Sequence, residues 1–162
     1  MKPWLRFLLK LALVAGVTAA VFSFVLGVHI HHGNRMYPSI RDGDLLITYK
    51  LDPYRTGDAV LYRVPGTGEL AVSRIVAVGK AEIAFTETGE VQINGFISGE
   101  DRFYPTLPLD GSALSFPYLI SADGLFLLDD YRVIGQDSRA FGEIREGDIL
   151  GKVVYVLRRR GI

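Results

Sequence analysis

The feature that most constrains this chain is an uninterrupted apolar stretch near its start. From Leu11 to Ile30 the sequence contains no charged residue, and its polar side chains are Thr18, Ser23 and His29. An α-helix rises about 1.5 Å per residue, so a stretch of this length can cross the ~30 Å hydrocarbon layer of a bilayer. The sequence therefore predicts one transmembrane helix.

The charges on either side of this stretch predict its orientation. Lys2, Arg6 and Lys10 precede it, whereas the segment His29–Gly33 contains neither lysine nor arginine. Flanks rich in lysine and arginine stay on the cytoplasmic side of a membrane. We therefore expect a single-pass protein of the cell membrane with its N-terminus in the cytoplasm. The predicted cytoplasmic flank, transmembrane helix and extracytoplasmic domain cover residues 1–10, 11–30 and 31–162.

A cleaved secretory signal is the alternative interpretation of the same stretch. Such a signal has a shorter apolar core and ends in a small-x-small cleavage pattern. No such pattern follows Leu26, where the sequence continues into a run containing His29, His31 and His32. We therefore expect an anchor that remains attached to the domain.

Composition excludes several classes of site and partner. The chain of 162 residues contains no cysteine, which rules out disulfides and thiolate metal sites. Its formal net charge is zero, without the basic excess of nucleic-acid-binding proteins. The three clustered histidines are more typical of a membrane interface than of a metal site. We predict no cofactor, no metal and no nucleic-acid partner.

The rest of the chain has the pattern of a β domain. Short runs rich in β-branched and aromatic residues alternate with turn sequences such as Asn94-Gly95. The stretch Gly99–Phe116 has no periodicity and contains Pro105 and Pro108, which predicts a surface loop. The predicted fold class is mostly β. The predicted strands are Leu45–Tyr49, Ala59–Val64, Leu70–Val78, Ile83–Thr86, Val91–Ile93, Leu125–Leu128 and Ile149–Leu157.

Sequence blocks in a fixed order carry a resemblance to a known family. Gly33–Ile47 is similar to S-M-x-P-T-L followed by x-x-G-D and a hydrophobic strand. Val72–Val76 is similar to K-R-V-I-G, and Phe126–Gly142 matches F-V-L-G-D-N-R-D-N-S-x-D-S-R-x-F-G without a gap. Tyr54–Tyr62 and Ile149–Val153 are similar to two further blocks. Together the blocks resemble the type I signal peptidases, which implies a signal-peptidase-like coiled β-sheet or barrel domain behind one transmembrane helix.

The resemblance also implies that the catalytic groups of the family are missing. Type I signal peptidases use a serine nucleophile and an unprotonated lysine as general base. In the gapless match the nucleophile position is Arg35, the base position is Ser73, and the serine that hydrogen-bonds the lysine corresponds to Gly135. A guanidinium that stays charged cannot attack a carbonyl, and a serine hydroxyl is no base near neutral pH. No intact catalytic residue, and no serine endopeptidase activity, is therefore expected.

Two further groups of residues take their predicted roles from the family. Positions next to the nucleophile and in the base strand form an apolar substrate cleft near the membrane, so a contiguous exposed apolar surface that binds a polypeptide is expected from Met36, Tyr37, Ile40 and Val72. Ion pairs and hydrogen bonds around the site are expected from Asp130, Arg132, Asp137 and Arg139. For the second group a structural role is favoured over a chemical one.

These observations support hypotheses of different classes. The first is a non-catalytic assembly or chaperone factor for surface pilins, because Gram-positive pilus gene clusters encode signal-peptidase-like proteins that support pilin polymerisation or presentation to a sortase. The alternative is an active signal peptidase with a relocated dyad, in which a serine and a lysine are drawn from Ser39, Ser73, Ser138, Lys50, Lys80 and Lys152. A decayed copy without a function is the third.

Overall fold

An apolar helix leads directly into the edge strand of a β-sheet. The computed structural model describes residues 2–99, 104–133 and 136–158. The helices are α1 (Pro3–Phe24) and α2 (Ser138–Phe141), with a 3-10 turn at Glu146–Asp148. The strands are β1 (Leu26–Ile30), β2 (Leu45–Tyr49), β3 (Ala59–Arg63), β4 (Leu70–Val78), β5 (Glu82–Phe85), β6 (Val91–Ile93), β7 (Phe96–Ile97), β8 (Tyr118–Leu119), β9 (Gly124–Leu128), β10 (Ile144–Arg145) and β11 (Ile149–Leu157).

Helix α1 is long and apolar enough to cross a membrane, and none of its described residues is buried. It begins at a proline in the first turn, where the missing N–H costs nothing. The helix starts and ends earlier than the predicted span 11–30, so most of the predicted flank 1–10 is helical. Residues Leu26–Ile30 form β1 instead, because their backbone pairs with β2. A hydropathy pattern does not separate an apolar strand from the end of an apolar helix.

The strands of the described ranges form two antiparallel sheets. Seven strands have the order β1-β2-β11-β3-β4-β9-β10, and four have the order β7-β6-β5-β8. The antiparallel, mostly β fold agrees with the sequence prediction. The bounds of β2, β4, β6 and β11 are those predicted, β3 and β9 differ by one residue at one end, and β5 is shifted by one residue at both ends. The short strands β7, β8 and β10 were not predicted. No strand lies in the described part of the predicted loop, residues 104–116.

The central strand β4 connects the hydrophobic clusters of the domain. It is buried on both faces, as expected of a strand with neighbours on both sides and layers above and below. Ala71 and Ile75 pack into one cluster with strands β3 and β9, while Val76 and Ala77 pack into a second with the smaller sheet. Val72 lies in a third cluster, beside the loop that follows β1. The buried side chains of β4, Ser73 among them, are therefore held by packing on both faces.

Candidate functional site

The candidate site lies where the loop after β1 meets β4 and the turn after β9. The Tyr131 N–H donates to the Arg35 carbonyl at 2.8 Å, and the Asp130 N–H lies 3.4 Å from the Met36 sulfur. Strand β4 pairs with β9 through the register Arg74↔Leu128, so the end of β9 and the middle of β4 are adjacent. These backbone contacts bring together the positions predicted as nucleophile and base.

Arg35, at the predicted nucleophile position, is half-buried and cationic. Its Nη1 donates to the main-chain carbonyl of Gln136 at 3.2 Å and to the side-chain Oε1 at 3.3 Å. Within the described ranges no carboxylate forms a salt bridge with it. A guanidinium in this position can donate hydrogen bonds to a bound chain but cannot act as a nucleophile.

Ser73, at the predicted base position, is fully buried. Its hydroxyl donates to Oδ1 of Asp129 at 2.6 Å and lies 3.1 Å from the Tyr62 hydroxyl. A serine hydroxyl is far too weak a base to take a proton from a nucleophile near neutral pH, so this position cannot replace the lysine of the family. The third predicted position, Gly135, lies outside the described residues.

Asp129 replaces a glycine of the family pattern and is the most perturbed acid of the site. Burial is the main cause that raises its pKa to about 7, and the nearby Asp137 carboxylate adds to it. The Ser73 hydrogen bond and the charges of Arg35 and Arg139 oppose this shift. Its second oxygen, Oδ2, has no hydrogen-bond partner among the described residues. The carboxyl is therefore half ionised near neutral pH.

Tyr62 completes this buried polar group on strand β3. Burial raises the pKa of its hydroxyl, so the phenol remains protonated at physiological pH. Neither Tyr62 nor Asp129 was predicted as a site residue. Asp129 had a detectable signal, because a charged residue stands there in place of the glycine of the family pattern. Tyr62 had none, because a tyrosine in a strand is ordinary.

The serines proposed for a relocated dyad are not paired with a lysine. Ser138 is buried, and its Oγ accepts the Leu127 N–H at 2.9 Å. Ser39 Oγ lies at 3.5 Å from the Arg74 guanidinium. Across the described residues, no serine hydroxyl has a lysine ammonium among its hydrogen-bond partners.

Two of the proposed lysines, Lys152 and Lys50, are engaged in other contacts. Lys152 forms an ion pair with Asp52 and lies 3.6 Å from Asp58, and the bond to Asp52 is the main cause that raises its pKa. A general base needs the opposite shift. Lys50 donates to the Ser23 carbonyl at 2.8 Å, at the end of the apolar helix. Nothing in the described residues supports the relocated dyad.

The predicted exposed apolar surface is wrong for three of its four residues. Met36, Ile40 and Val72 are buried in one cluster, in which Leu46 of β2 and Leu61 of β3 are their neighbours. Tyr37 is 41% exposed. Sequence position next to the nucleophile does not decide exposure, because the loop after β1 folds back onto the sheet. Of these four residues, only Tyr37 is exposed enough to contact a polypeptide at the surface.

The predicted ion-pairing residues are all buried, and the pairs are well formed. The Arg74 guanidinium binds Asp130 through two bonds of 2.8 and 2.6 Å. Arg139 binds Asp137 in the same fork geometry, at 2.9 Å for both bonds. Two parallel bonds of this kind fix the relative orientation of the two side chains.

Arg132 connects the second of these pairs to the loop before β8. Its Nη1 donates to Thr106 Oγ1 at 2.9 Å, and its carbonyl accepts from Arg139 Nη2 at 2.8 Å. Arg139 also reaches the Leu107 carbonyl at 3.1 Å. The turn after β9 is therefore locked to its surroundings by charge-assisted bonds. Within the described part of the chain, no group of three histidine, aspartate or glutamate side chains could hold a metal ion.

Comparisons with known proteins agree with this geometry. Residues 2–157 match the family model described as signal peptidase, peptidase S26. A relative from Staphylococcus aureus (strain Mu50), named inactive signal peptidase IA, is 27% identical over 94% of this chain and 91% of its own length. Signal peptidase I of Bacillus caldolyticus is 28% identical over 86% of this chain and 83% of its own length.

A solved structure shows the same fold. The crystal structure of a signal peptidase I from Enterococcus faecalis V583 superposes with a TM-score of 0.56 at 17% identity. The similarity covers 64% of this chain and 99% of that one.

Proposed function

This chain belongs to the signal peptidase family, peptidase S26, and on that premise we propose that it is a non-catalytic member that binds an extended segment of a secreted polypeptide at the cell membrane. The anchor is helix α1, with the N-terminus in the cytoplasm and the β domain outside. The charges of Lys2, Arg6 and Lys10 support this orientation.

The observation that carries the proposal is the state of the base position. Ser73 is buried and its hydroxyl donates a hydrogen bond to Asp129, so a group that cannot accept a proton near neutral pH stands at the base position. Arg35 independently removes the nucleophile. Loss of both groups leaves only the residual rate enhancement of a hydrolase without its nucleophile, about 10³ to 10⁴ over water, which is too slow for turnover of an amide.

The intact scaffold supports a retained binding role. Breaking a buried ion pair costs about 3–5 kcal/mol, so the paired Arg74, Asp130, Asp137 and Arg139 are features on which the fold depends. A decayed copy would have no reason to keep them. The relative named inactive shows that loss of activity occurs elsewhere in this family.

For the polypeptide partner we propose surface pilins, with assembly in cooperation with a sortase. This assignment extends the resemblance to the non-catalytic signal-peptidase-like proteins of Gram-positive pilus clusters. Genes for pilins with sortase motifs beside the gene for this chain would support it.

The test combines a cleavage assay with site-specific crosslinking. The full-length protein in membrane vesicles is incubated with a radiolabelled preprotein or pilin precursor, and an active signal peptidase serves as positive control. A photoreactive residue replaces Tyr37, or Leu119 on the far sheet, which is 70% exposed and serves as the matched control. We expect no cleavage, and crosslinking from Tyr37 well above that from Leu119.

Two results would contradict the proposal. Cleavage at a small-x-small site that disappears on substitution of Ser39, Ser73 or Ser138 would establish a working relocated dyad. Equal or absent crosslinking from the two positions would show that this face binds no polypeptide.

A further inference from the structure

Arg35 differs from Arg74 and Arg139 in having no carboxylate partner within the described residues. Arg74 pairs with Asp130, and Arg139 pairs with Asp137, each in a two-bond fork. Arg35 is half-buried at the same junction, yet its side-chain hydrogen bonds run to neutral oxygens of Gln136 at 3.2 and 3.3 Å. A partly desolvated guanidinium held only by neutral acceptors favours binding of an anion.

The donors of Arg35 remain available for such an anion. Nη1 makes both bonds to Gln136, and neither Nε nor Nη2 has a hydrogen-bond acceptor among the described residues. The main chain of Arg35 is fixed by the bond from the Tyr131 N–H at 2.8 Å. A planar fork on a fixed backbone matches the two oxygens of a carboxylate.

We propose that Arg35 is a carboxylate-recognition residue, so that the polypeptide bound by this protein presents a carboxylate at the position where an active relative would hold the scissile bond. This inference rests on the proposed polypeptide-binding function and specifies the chemistry of its ligand. The carboxylate comes either from a free C-terminus or from an acidic side chain within the bound segment.

Asp129 is a buried acid on which the charge of Arg35 acts. Asp129 is buried and uses Oδ1 for Ser73, and its carboxyl is surrounded by Tyr62, Ser73, Asp137, Arg139 and Arg35. Its raised pKa means that it carries only part of a negative charge near neutral pH. Asp129 therefore offsets the charge of Arg35 only in part, and an external carboxylate can pair with the remaining donors.

The test measures peptide binding by the full-length protein in nanodiscs of zwitterionic lipid. Four fluorescently labelled peptides share one apolar sequence of small residues and form two pairs. The first pair has a free or an amidated C-terminus. In the second pair the C-terminus is amidated and one internal residue is glutamate or glutamine. Fluorescence anisotropy gives the dissociation constants. The variants are Arg35→Gln, which removes the charge, and Arg63→Gln, an exposed arginine at the end of β3, as the matched control.

We expect at least one carboxylate peptide to bind about 10- to 100-fold tighter than its neutral equivalent, as a charge-assisted bidentate pair provides. The peptide pair whose charged and neutral members differ in affinity identifies the source of the carboxylate. Arg35→Gln should remove this preference while neutral peptides bind as before, and Arg63→Gln should leave it unchanged.

Other outcomes would overturn the inference in distinguishable ways. Equal binding of charged and neutral peptides would reject carboxylate recognition but leave the proposed function standing. Failure of every peptide to bind would reject both. The same binding measurement in nanodiscs that contain anionic lipid tests for a lipid ligand. A carboxylate preference that is present in zwitterionic nanodiscs but absent from these would show that a lipid headgroup occupies Arg35 in a bacterial membrane. That result also rejects the inference.

Discussion

Replacing Asp129 by asparagine should change how the stability of this protein depends on pH. The carboxyl is fully buried, and its pKa of about 7 in the folded protein exceeds the ordinary 3.8 expected in the unfolded chain. Between these two values the folded state binds more protons than the unfolded state, so stability falls as pH rises. The stabilisation is complete below the lower value and is lost above the higher one.

The magnitude follows from the interval between the two pKa values. At about 1.4 kcal/mol per pH unit, the step from 3.8 to about 7 corresponds to roughly 4 kcal/mol of lost stability. The asparagine of the variant stays neutral and can accept the Ser73 hydroxyl proton through its amide oxygen. Its NH₂ group would take the place of an oxygen without a described partner, at a cost of about 1–3 kcal/mol.

The two stability curves should therefore cross. Asp129→Asn is expected to be less stable than the unmodified protein near pH 4, where little of the roughly 4 kcal/mol has been lost, and more stable near pH 8, where all of it has. Thermal unfolding of the full-length protein in detergent micelles, followed by circular dichroism between pH 4 and 8, measures this. Ionisable groups that the two proteins share contribute equally to both curves and cancel in the difference.

Asp123→Asn provides the control, because Asp123 is exposed in the turn before β9. Its curve should run parallel to that of the unmodified protein. A difference between Asp129→Asn and the unmodified protein that does not change with pH would refute the reasoning, since it would mean that Asp129 ionises normally in its buried position.

Three further outcomes are expected. Arg74→Ala should destabilise the domain by about 3–5 kcal/mol, because it leaves the buried Asp130 carboxylate without its bidentate partner, whereas the exposed Arg63→Ala should change the unfolding temperature little. Met36→Asp should prevent folding, since it places a charge in a fully buried cluster, and a folded Met36→Asp protein would contradict the packing. Tyr37→Asp should fold normally but lose crosslinking to the polypeptide. A reporter that is active only outside the cytoplasm should work when fused to the C-terminus, and activity of a cytoplasm-only reporter there would reverse the proposed topology.

Strand positions were largely predictable because they depend on local pattern. β2, β4, β6 and β11 combine apolar runs with turn residues at both ends, and their bounds agree with the structure. β1 was misassigned because Leu26–Ile30 is a mostly apolar run after a long apolar helix and looks like its continuation until a pairing partner is known. The two-residue strands β7, β8 and β10 are defined by their neighbours and have no period of their own.

The sequence predicts the candidate site only where the chemical nature of a side chain alone decides its role. That Arg35 and Ser73 cannot serve as nucleophile and base follows from side-chain identity. The burial of Met36 and Val72 does not, because it depends on Leu61 and other residues that approach from distant parts of the chain. The hydrogen bond from Ser73 to Asp129 joins positions 56 residues apart, so no local pattern could indicate it.

The junction between α1 and β1 has a consequence for how the protein meets its partners. A single residue, Val25, separates the last residue of the helix from the first of the strand, and its carbonyl accepts the Lys50 N–H at 2.9 Å. The Lys50 ammonium holds the helix end from the other side through the Ser23 carbonyl. These two hydrogen bonds tie the end of α1 to β2. With α1 in a bilayer, they would set the height and tilt of the β domain above the lipid, and with them the depth at which the proposed polypeptide partner reaches the site.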